Sequence, residues 1–188
     1  MNDAQIIADF LDGKAAAREA LLERWLPPVL DWCVRLGGPK IDSEDAAHDV
    51  LIVVLTRLDT LEDPLRFRSW LFSVTRKVID RHRRRAWIRR WVPGIFVEPA
   101  SRAPDPEATT ASARGVNQLI TAVDALPARL REVVVLSQVE ERPLPEVAEL
   151  LDVPLGTVKS RLRLARERLR GDPAVRAMHH ALLAGELG

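Results

Sequence analysis

The stretch from residue 93 to 113 constrains this chain more than any other. It holds Pro93, Gly94, Pro99, Pro104 and Pro106, with Ala, Ser and Thr filling much of the rest. Proline has no backbone N–H and a fixed φ, so so many prolines this close together forbid a continuous helix. Such a composition reads as an extended linker. It divides the 188 residues into a piece at 1–92, the linker 93–113, a piece at 114–172 and a tail at 173–188. Each piece must then bury its own apolar face. Fully extended, a linker of about 20 residues spans roughly 65–70 Å. Two domains joined in this way can reach well-separated sites on one extended partner.

Within both pieces the apolar residues recur at steps of three and four, the mark of helices. Leu21, Leu22, Trp25, Leu26, Val29, Leu30 and Cys33 form one such series, with a break or kink expected at Pro27-Pro28. Asp42 or Ser43 suits an N-cap, with Glu44 and Asp45 in the first turn that follows. That helix carries Val50, Val53, Val54 and Leu58. Asp63-Pro64 marks a turn before a helix of roughly 66–91. Beyond the linker, Leu119, Ile120, Val123 and Leu126 form a stripe, followed by Leu130, Val133, Val134 and Leu136. A short helix from Pro145 to Leu151 and a longer one from about Gly156 to Arg170 complete the series. Strand signals are scarce and tyrosine is absent. The expectation is an all-α protein of two small helical domains.

Composition excludes several classes. At 47% apolar and 29% charged residues the chain fits a globular protein. No apolar run approaches the length of a membrane span, so no membrane insertion is expected. Met1 to Phe10 carries two acids and no base, unlike a secretory signal. The single cysteine, Cys33, has no partner for an internal disulfide and reads as a small buried hydrophobe. A cytoplasmic location follows as the expectation. His48, His82, His179 and His180 show no metal-ligand spacing with cysteine. Asp42, Glu44, Asp45 and Asp49 read as helix capping and a protein-contact face rather than a metal site. No cofactor or metal is expected.

Net charge is only +1, but its distribution is uneven. Arg76, Lys77, Arg81, Arg83, Arg84, Arg85, Arg89 and Arg90 crowd one segment against Asp80. Lys159, Arg161, Arg163, Arg166, Arg168 and Arg170 crowd another against Glu167. Two basic helices point to two contacts with a polyanion. In the first, Trp70, Leu71, Phe72, Val74, Thr75, Val78 and Ile79 share an apolar arc. Ser73, Arg76, Lys77, Asp80, Arg83 and Arg84 share the polar one, free for phosphates. Trp87 and Trp91 read as a cap on the end of the domain.

The second basic helix follows a short helix and a tight turn, the helix-turn-helix pattern. At 100° per residue, Val158, Leu162, Ala165 and Leu169 fall within about 60° of one another and must be buried. Ser160, Arg163, Leu164 and Glu167 lie opposite. Lys159 and Arg166 flank one side and Arg161 the other. The outward face fits a major groove, with its flanks on phosphates. Base contacts are expected from the N-terminal half, chiefly Ser160, Arg163 and Leu164.

The wording of the sequence points further. Leu126 to Val133, Pro145 to Leu151, Val153 to Leu162 and Ala165 to Leu169 closely resemble region four of extracytoplasmic-function sigma factors of bacterial RNA polymerase. The stretch Gly156-Thr157-Val158-Lys159-Ser160-Arg161 is the most specific part. Ser43 to Val50 and Phe67 to Arg85 resemble region two. The resemblance covers most of residues 10–92 and 114–170, and no region three fits between. It implies that region four, with Thr157, Lys159, Ser160, Arg161, Arg163, Leu164 and Arg166, binds the −35 promoter element. Region two, with Phe67, Arg76, Lys77, Arg83 and Arg84, would bind the −10 element, and the loop from Leu61 to Phe67 would capture a base. Asp45, His48 and Asp49 would bind core RNA polymerase, whose beta and beta-prime subunits are the implied partners, and an anti-sigma factor would control the chain. Two positions depart from the family: His48 stands where glutamine is usual, and Leu164 where arginine is frequent.

Two other readings compete. A two-domain helix-turn-helix regulator would bind duplex promoter DNA without polymerase, whereas a sigma factor of this class needs core enzyme. A nucleic-acid-modifying enzyme would need a catalytic constellation, and no phosphate loop or nucleophile motif is present. The chain is therefore expected not to be an enzyme.

Overall fold

The computed structural model describes residues 3–91, 111–173 and 175–177. The linker segment 92–110 and most of the tail lie outside the described residues. The described residues are helical throughout apart from turns, and no strand occurs among them. They form two compact units, the first built from the helices before the linker and the second from most of those after it.

The first unit contains α1 (Asp3–Leu11), α2 (Ala15–Gly37), α3 (Ser43–Arg57) and α4 (Phe67–Trp91). Helices α2, α3 and α4 pack on one another, and α1 lies against α2. The core is aromatic. The Trp32 and Phe72 rings meet edge to face with centroids 4.9 Å apart, and Trp25 meets Phe67 at 5.4 Å. Edge-to-face pairs add about 0.5–1.5 kcal/mol each beyond the area they bury. Leu21, Val29, Val50, Val54 and Leu71 fill the space around them. Cys33 is buried here, and burial pushes its thiol up to about 12.

The break expected at Pro27-Pro28 does not occur, and α2 runs through both prolines as one helix. Each proline removes one backbone bond. On either side, however, Trp25, Val29, Trp32, Cys33 and Leu36 are buried on the same face, so tertiary packing overrides the local preference. The N-cap of α3 is Asp42, whose Oδ1 accepts from the backbone N–H groups of Glu44 and Asp45, each at 3.0 Å. That satisfies two of the orphan donors of the first turn.

The second unit contains α5 (Ala111–Ala125), α6 (Ala128–Val134), α7 (Leu144–Leu151) and α8 (Leu155–Gly171). Helix α5 thus begins within the segment assigned to the linker. A π-helical turn, Val135–Val139, extends α6, a feature the periodicity did not announce. The core is aliphatic: Leu130, Val133, Val134, Leu136, Val147, Val158 and Leu162. Helix α8 packs on α6. Buried among these, the Arg131 guanidinium donates to the carbonyls of Asp124 and Leu126 at 3.2 and 3.1 Å, tying α6 to the end of α5. The stripe expected on α5 is only partly inward. Leu126 is buried and Val123 half-buried, while Leu119 and Ile120 are exposed.

Candidate nucleic-acid interface

In the second unit, α7 ends at Leu151 and α8 opens at Leu155, so three residues make the turn between them. Asp152 takes φ +52°, which reverses the chain. Pro154 is extended, and its carbonyl accepts from the Thr157 N–H at 2.8 Å, starting α8. This is a helix-turn-helix.

The predicted wheel holds in three dimensions. Val158, Leu162 and Ala165 are buried, and Leu169 is half-buried. Ser160, Arg163, Leu164 and Glu167 are exposed on the opposite side. Leu164 stands 40% exposed, an apolar contact in a polar face. The Ser160 hydroxyl donates to the Gly156 carbonyl at 2.9 Å. Arg163 Nη1 donates to Glu167 Oε1 at 2.6 Å, so a carboxylate one turn away holds part of its fork. An incoming guanine or phosphate would compete with that exposed pair, which is worth only about 0.3–0.5 kcal/mol. Lys159 is exposed, and Thr157 and Arg161 are half-buried. Arg166 reaches Gln138 Oε1 at 3.4 Å. Lys159, Arg163, Arg166 and Arg170 line an open cleft with Glu167, Leu144 and Leu162. Lys159 and Arg166, the flank expected on this side of α8, both lie on that cleft.

The first unit divides its predicted site residues differently. Lys77 and Arg84 are exposed on α4, and Arg76 is half-buried. Arg83 turns inward, where its Nη1 donates to the Gly37 carbonyl at 2.7 Å and closes the end of α2. Phe67 is only 1% exposed. Its ring packs between Trp25 and Trp70, the latter stacked at 6.0 Å. It begins α4 and anchors the preceding loop from a core position. The loop itself presents Leu65, 85% exposed, which the sequence reading did not single out. Asp63 Oδ1 accepts from the Leu65 N–H at 2.9 Å and shapes that turn. Only the Asp63-Pro64 pair signalled it in advance. Trp87, read as a cap, is 62% exposed.

On α3, Asp45 and His48 are exposed, with Ile52 exposed one turn beyond His48. Asp49 is half-buried and faces α4. Its Oδ2 accepts from Arg81 Nη2 and from His82 Nε2, both at 2.9 Å. The His82 hydrogen bond, with the Arg81 charge beside it, holds the Asp49 carboxyl below the usual carboxylate range. Asp49 therefore fastens α3 to α4, while Asp45 and His48 remain on the surface. Among the described residues no cluster of His, Cys, Asp and Glu suits a metal ion. Nor is any described helix long and apolar enough to cross a membrane.

Two helical units, each presenting a basic helix, one of them the second helix of a helix-turn-helix, define a bipartite DNA-binding protein. Comparison with known proteins narrows the class. The profile "Sigma-70 region 2" matches residues 21–88 and "Sigma-70, region 4" matches residues 117–169, together more than half of the chain. The extracytoplasmic-function (ECF) RNA polymerase sigma factor SigW of Bacillus subtilis is 29% identical over 151 residues, covering 76% of this chain and 81% of SigW. The fold is shared with CnrH, solved in complex with the cytosolic domain of CnrY (22% identity, TM-score 0.61, 95% of this chain and 97% of that one). It is shared also with the sigma factor RpoE, solved with the anti-sigma factor NepR from Bartonella quintana (24% identity, TM-score 0.56, 81% and 94%). The chain belongs to the extracytoplasmic-function sigma factors, DNA-binding transcription initiation factors of RNA polymerase.

Proposed function

We propose that this sigma factor reads the −35 element with α8 and the −10 element with the loop before α4 and the outer face of α4. The observation that carries the reading is the face of α8: Ser160, Arg163 and Leu164 stand exposed opposite the buried Val158, Leu162 and Ala165. Arg163 offers a bidentate fork to guanine, and Leu164 an apolar contact to a thymine methyl. Lys159, Arg161, Thr157 and Arg166 hold phosphates beside it. In the first unit Arg76, Lys77 and Arg84 do the same, Arg83 being tied to the Gly37 carbonyl. Asp45 and His48 bind the beta and beta-prime subunits of core polymerase, and Asp49 sets their helix against α4.

The division of labour follows the segments 1–92 and 114–172, joined by the linker 93–113 and ending in the tail 173–188. An anti-sigma factor restrains the chain. RpoE, which shares its fold, was solved with such a partner, and CnrH with the cytosolic domain of CnrY. The protein acts in the cytoplasm, as a binding subunit and not as an enzyme.

The test is transcription with core polymerase across a library of −35 sequences at two salt concentrations. Arg163→Ala should relax the −35 preference and cost about 5- to 150-fold on the best promoter, the range of one lost bidentate contact. Arg161→Ala should weaken all promoters alike and flatten the salt dependence. An unchanged preference with Arg163→Ala, together with a changed one for Arg161→Ala, would mean that the helix is oriented the other way.

A further inference from the structure

Helix α1 is nine residues long. A helix that short does not hold itself together in water, so its contacts decide where it lies. It buries Ile6 and Ile7, and one carboxylate ties its first turn to α2. Asp3 Oδ1 accepts from Trp25 Nε1 at 3.2 Å and meets Arg24 Nε at 2.7 Å. Beyond α2, the main neighbours of α1 are two short turns, Leu58–Thr60 and Pro64–Arg66. These turns bound the loop that carries Leu65. Helices α2, α3 and α4 pack on one another directly, so α1 serves chiefly as a backing for that loop. The Trp25 ring that donates to Asp3 also meets Phe67 edge to face at 5.4 Å, and Phe67 is where the loop enters α4. Leu58, where the chain leaves α3, is as deeply buried as Phe67. Both ends of the loop are thus anchored in the core, and the turns between them rest on α1 while Leu65 faces water. A reading loop must hold its shape before its ligand arrives, because order gained on binding is taken from affinity and selectivity.

We propose that Asp3 and Trp25 are positioning residues for −10 reading: the hydrogen bond between them sets α1 and the Trp25 ring, and these hold the loop Leu61–Phe67 in the shape that discriminates among −10 sequences. The inference rests on the reading of that loop as part of the −10 surface. It gives a share of promoter specificity to two side chains that this reading leaves out. Were the tie merely structural, its loss would lower the amount of folded protein and scale every promoter alike. A positioning role changes the ratio between promoters, which is indifferent to how much of the protein is folded.

The experiment loads core polymerase with the full-length wild type, Asp3→Ala, Asp3→Asn, Trp25→Phe, the double variant of Asp3→Ala with Trp25→Phe, or Leu65→Asp. For each, core affinity is measured, with transcription across a −10 library on a fixed −35 element and across a −35 library on a fixed −10 element. Asp3→Ala should cut the discrimination between the best −10 element and its single-base substitutions by about 5-fold, the lower end of what one base pair is worth. Its −35 preference and core affinity should stay as in wild type. Trp25→Phe keeps a ring against Phe67 but has no N–H to donate, and should act as Asp3→Ala does. The double variant should be no worse than either single one, because both remove the same bond. Asp3→Asn still offers a carbonyl oxygen to the indole and should keep most of the discrimination. Unchanged −10 discrimination in Asp3→Ala would overturn the inference, as would an equal loss on both libraries or additive losses in the double variant. Leu65→Asp tests the underlying reading, since a negative charge on a loop that meets DNA should depress transcription from every −10 sequence. If Leu65→Asp matches wild type, that reading is refuted and the inference falls with it. If Leu65→Asp is depressed while Asp3→Ala keeps the wild-type preference, the inference alone is wrong.

Discussion

The two units solve the same problem with different materials. All five Trp and all four Phe precede residue 97, and tyrosine is absent. The first unit is held by a few interlocking rings, the second by many Val, Leu and Ala side chains. Their basic helices differ in the same way. On α4, Arg81 and Arg83 are drawn into the fold, to Asp49 and to the Gly37 carbonyl. On α8, Lys159, Arg163 and Arg166 stay exposed, and Arg163 pairs with Glu167 on its own helix. A run of arginines in a sequence is thus not a count of charges offered to DNA. Packing decides how many of them are consumed by the protein itself.

The sharpest way to break this comparison is through the cores. Trp32→Ala should destabilise the first unit by about 3–5 kcal/mol, because it opens a cavity beside Phe72. Tryptophan fluorescence during denaturant unfolding should report the whole of that loss, since no fluorescent ring lies in the second unit. Far-UV circular dichroism should retain the amplitude of α5–α8 at the original midpoint. A single coincident shift of both signals would show that the units unfold together, and that treating them as separate bodies is an error.

Next in size is the contrast between neighbouring arginines. Arg83→Ala removes a charged donor from the Gly37 carbonyl and should cost about 1.5–3 kcal/mol of stability. Arg84→Ala, one residue on and exposed, should stay within about 0.5 kcal/mol. Equal effects on chemical denaturation would erase the distinction between consumed and offered charge.

The smallest effect concerns pH. The Asp49 carboxyl is held below its ordinary value of 3.8 by His82 and Arg81. A lowered folded-state value contributes stability that is present above the unfolded value and is lost as pH falls through the folded one. The first unit should therefore weaken below about pH 4, and Asp49→Asn should flatten that part of the profile. An unchanged acid limb in the variant would remove Asp49 from the fastening of α3 to α4.

How much of this could be read in advance followed from the range of the forces involved. The helix-turn-helix and its outward face were legible, because the positions of Val158, Leu162 and Ala165 within one helix already dictate what lies opposite. The Asp42 cap was legible for the same local reason. The burial of Phe67 was not legible, because a residue at a helix start is assigned to core or surface only by what packs on it, here Trp25 and Trp70. Pro27-Pro28 misled because the rule for prolines is local, while the apolar face that keeps α2 whole is tertiary. The inward turn of Arg83 and the bridge from Asp49 to His82 join positions far apart in sequence, which no spacing rule connects. The outward Leu119 and Ile120 show the converse, an apolar spacing that the described fold does not fully use.

Cys33 has a further consequence. Fully enclosed in the first unit, with its thiol pushed up to about 12, it presents almost no thiolate to a reagent at neutral pH. Alkylation must then wait for the enclosing helices to part. Because the chain has a single cysteine, the rate at which that one thiol is consumed becomes a clock. It ticks each time α2 swings away from its neighbours, and it counts those openings without any label having been added.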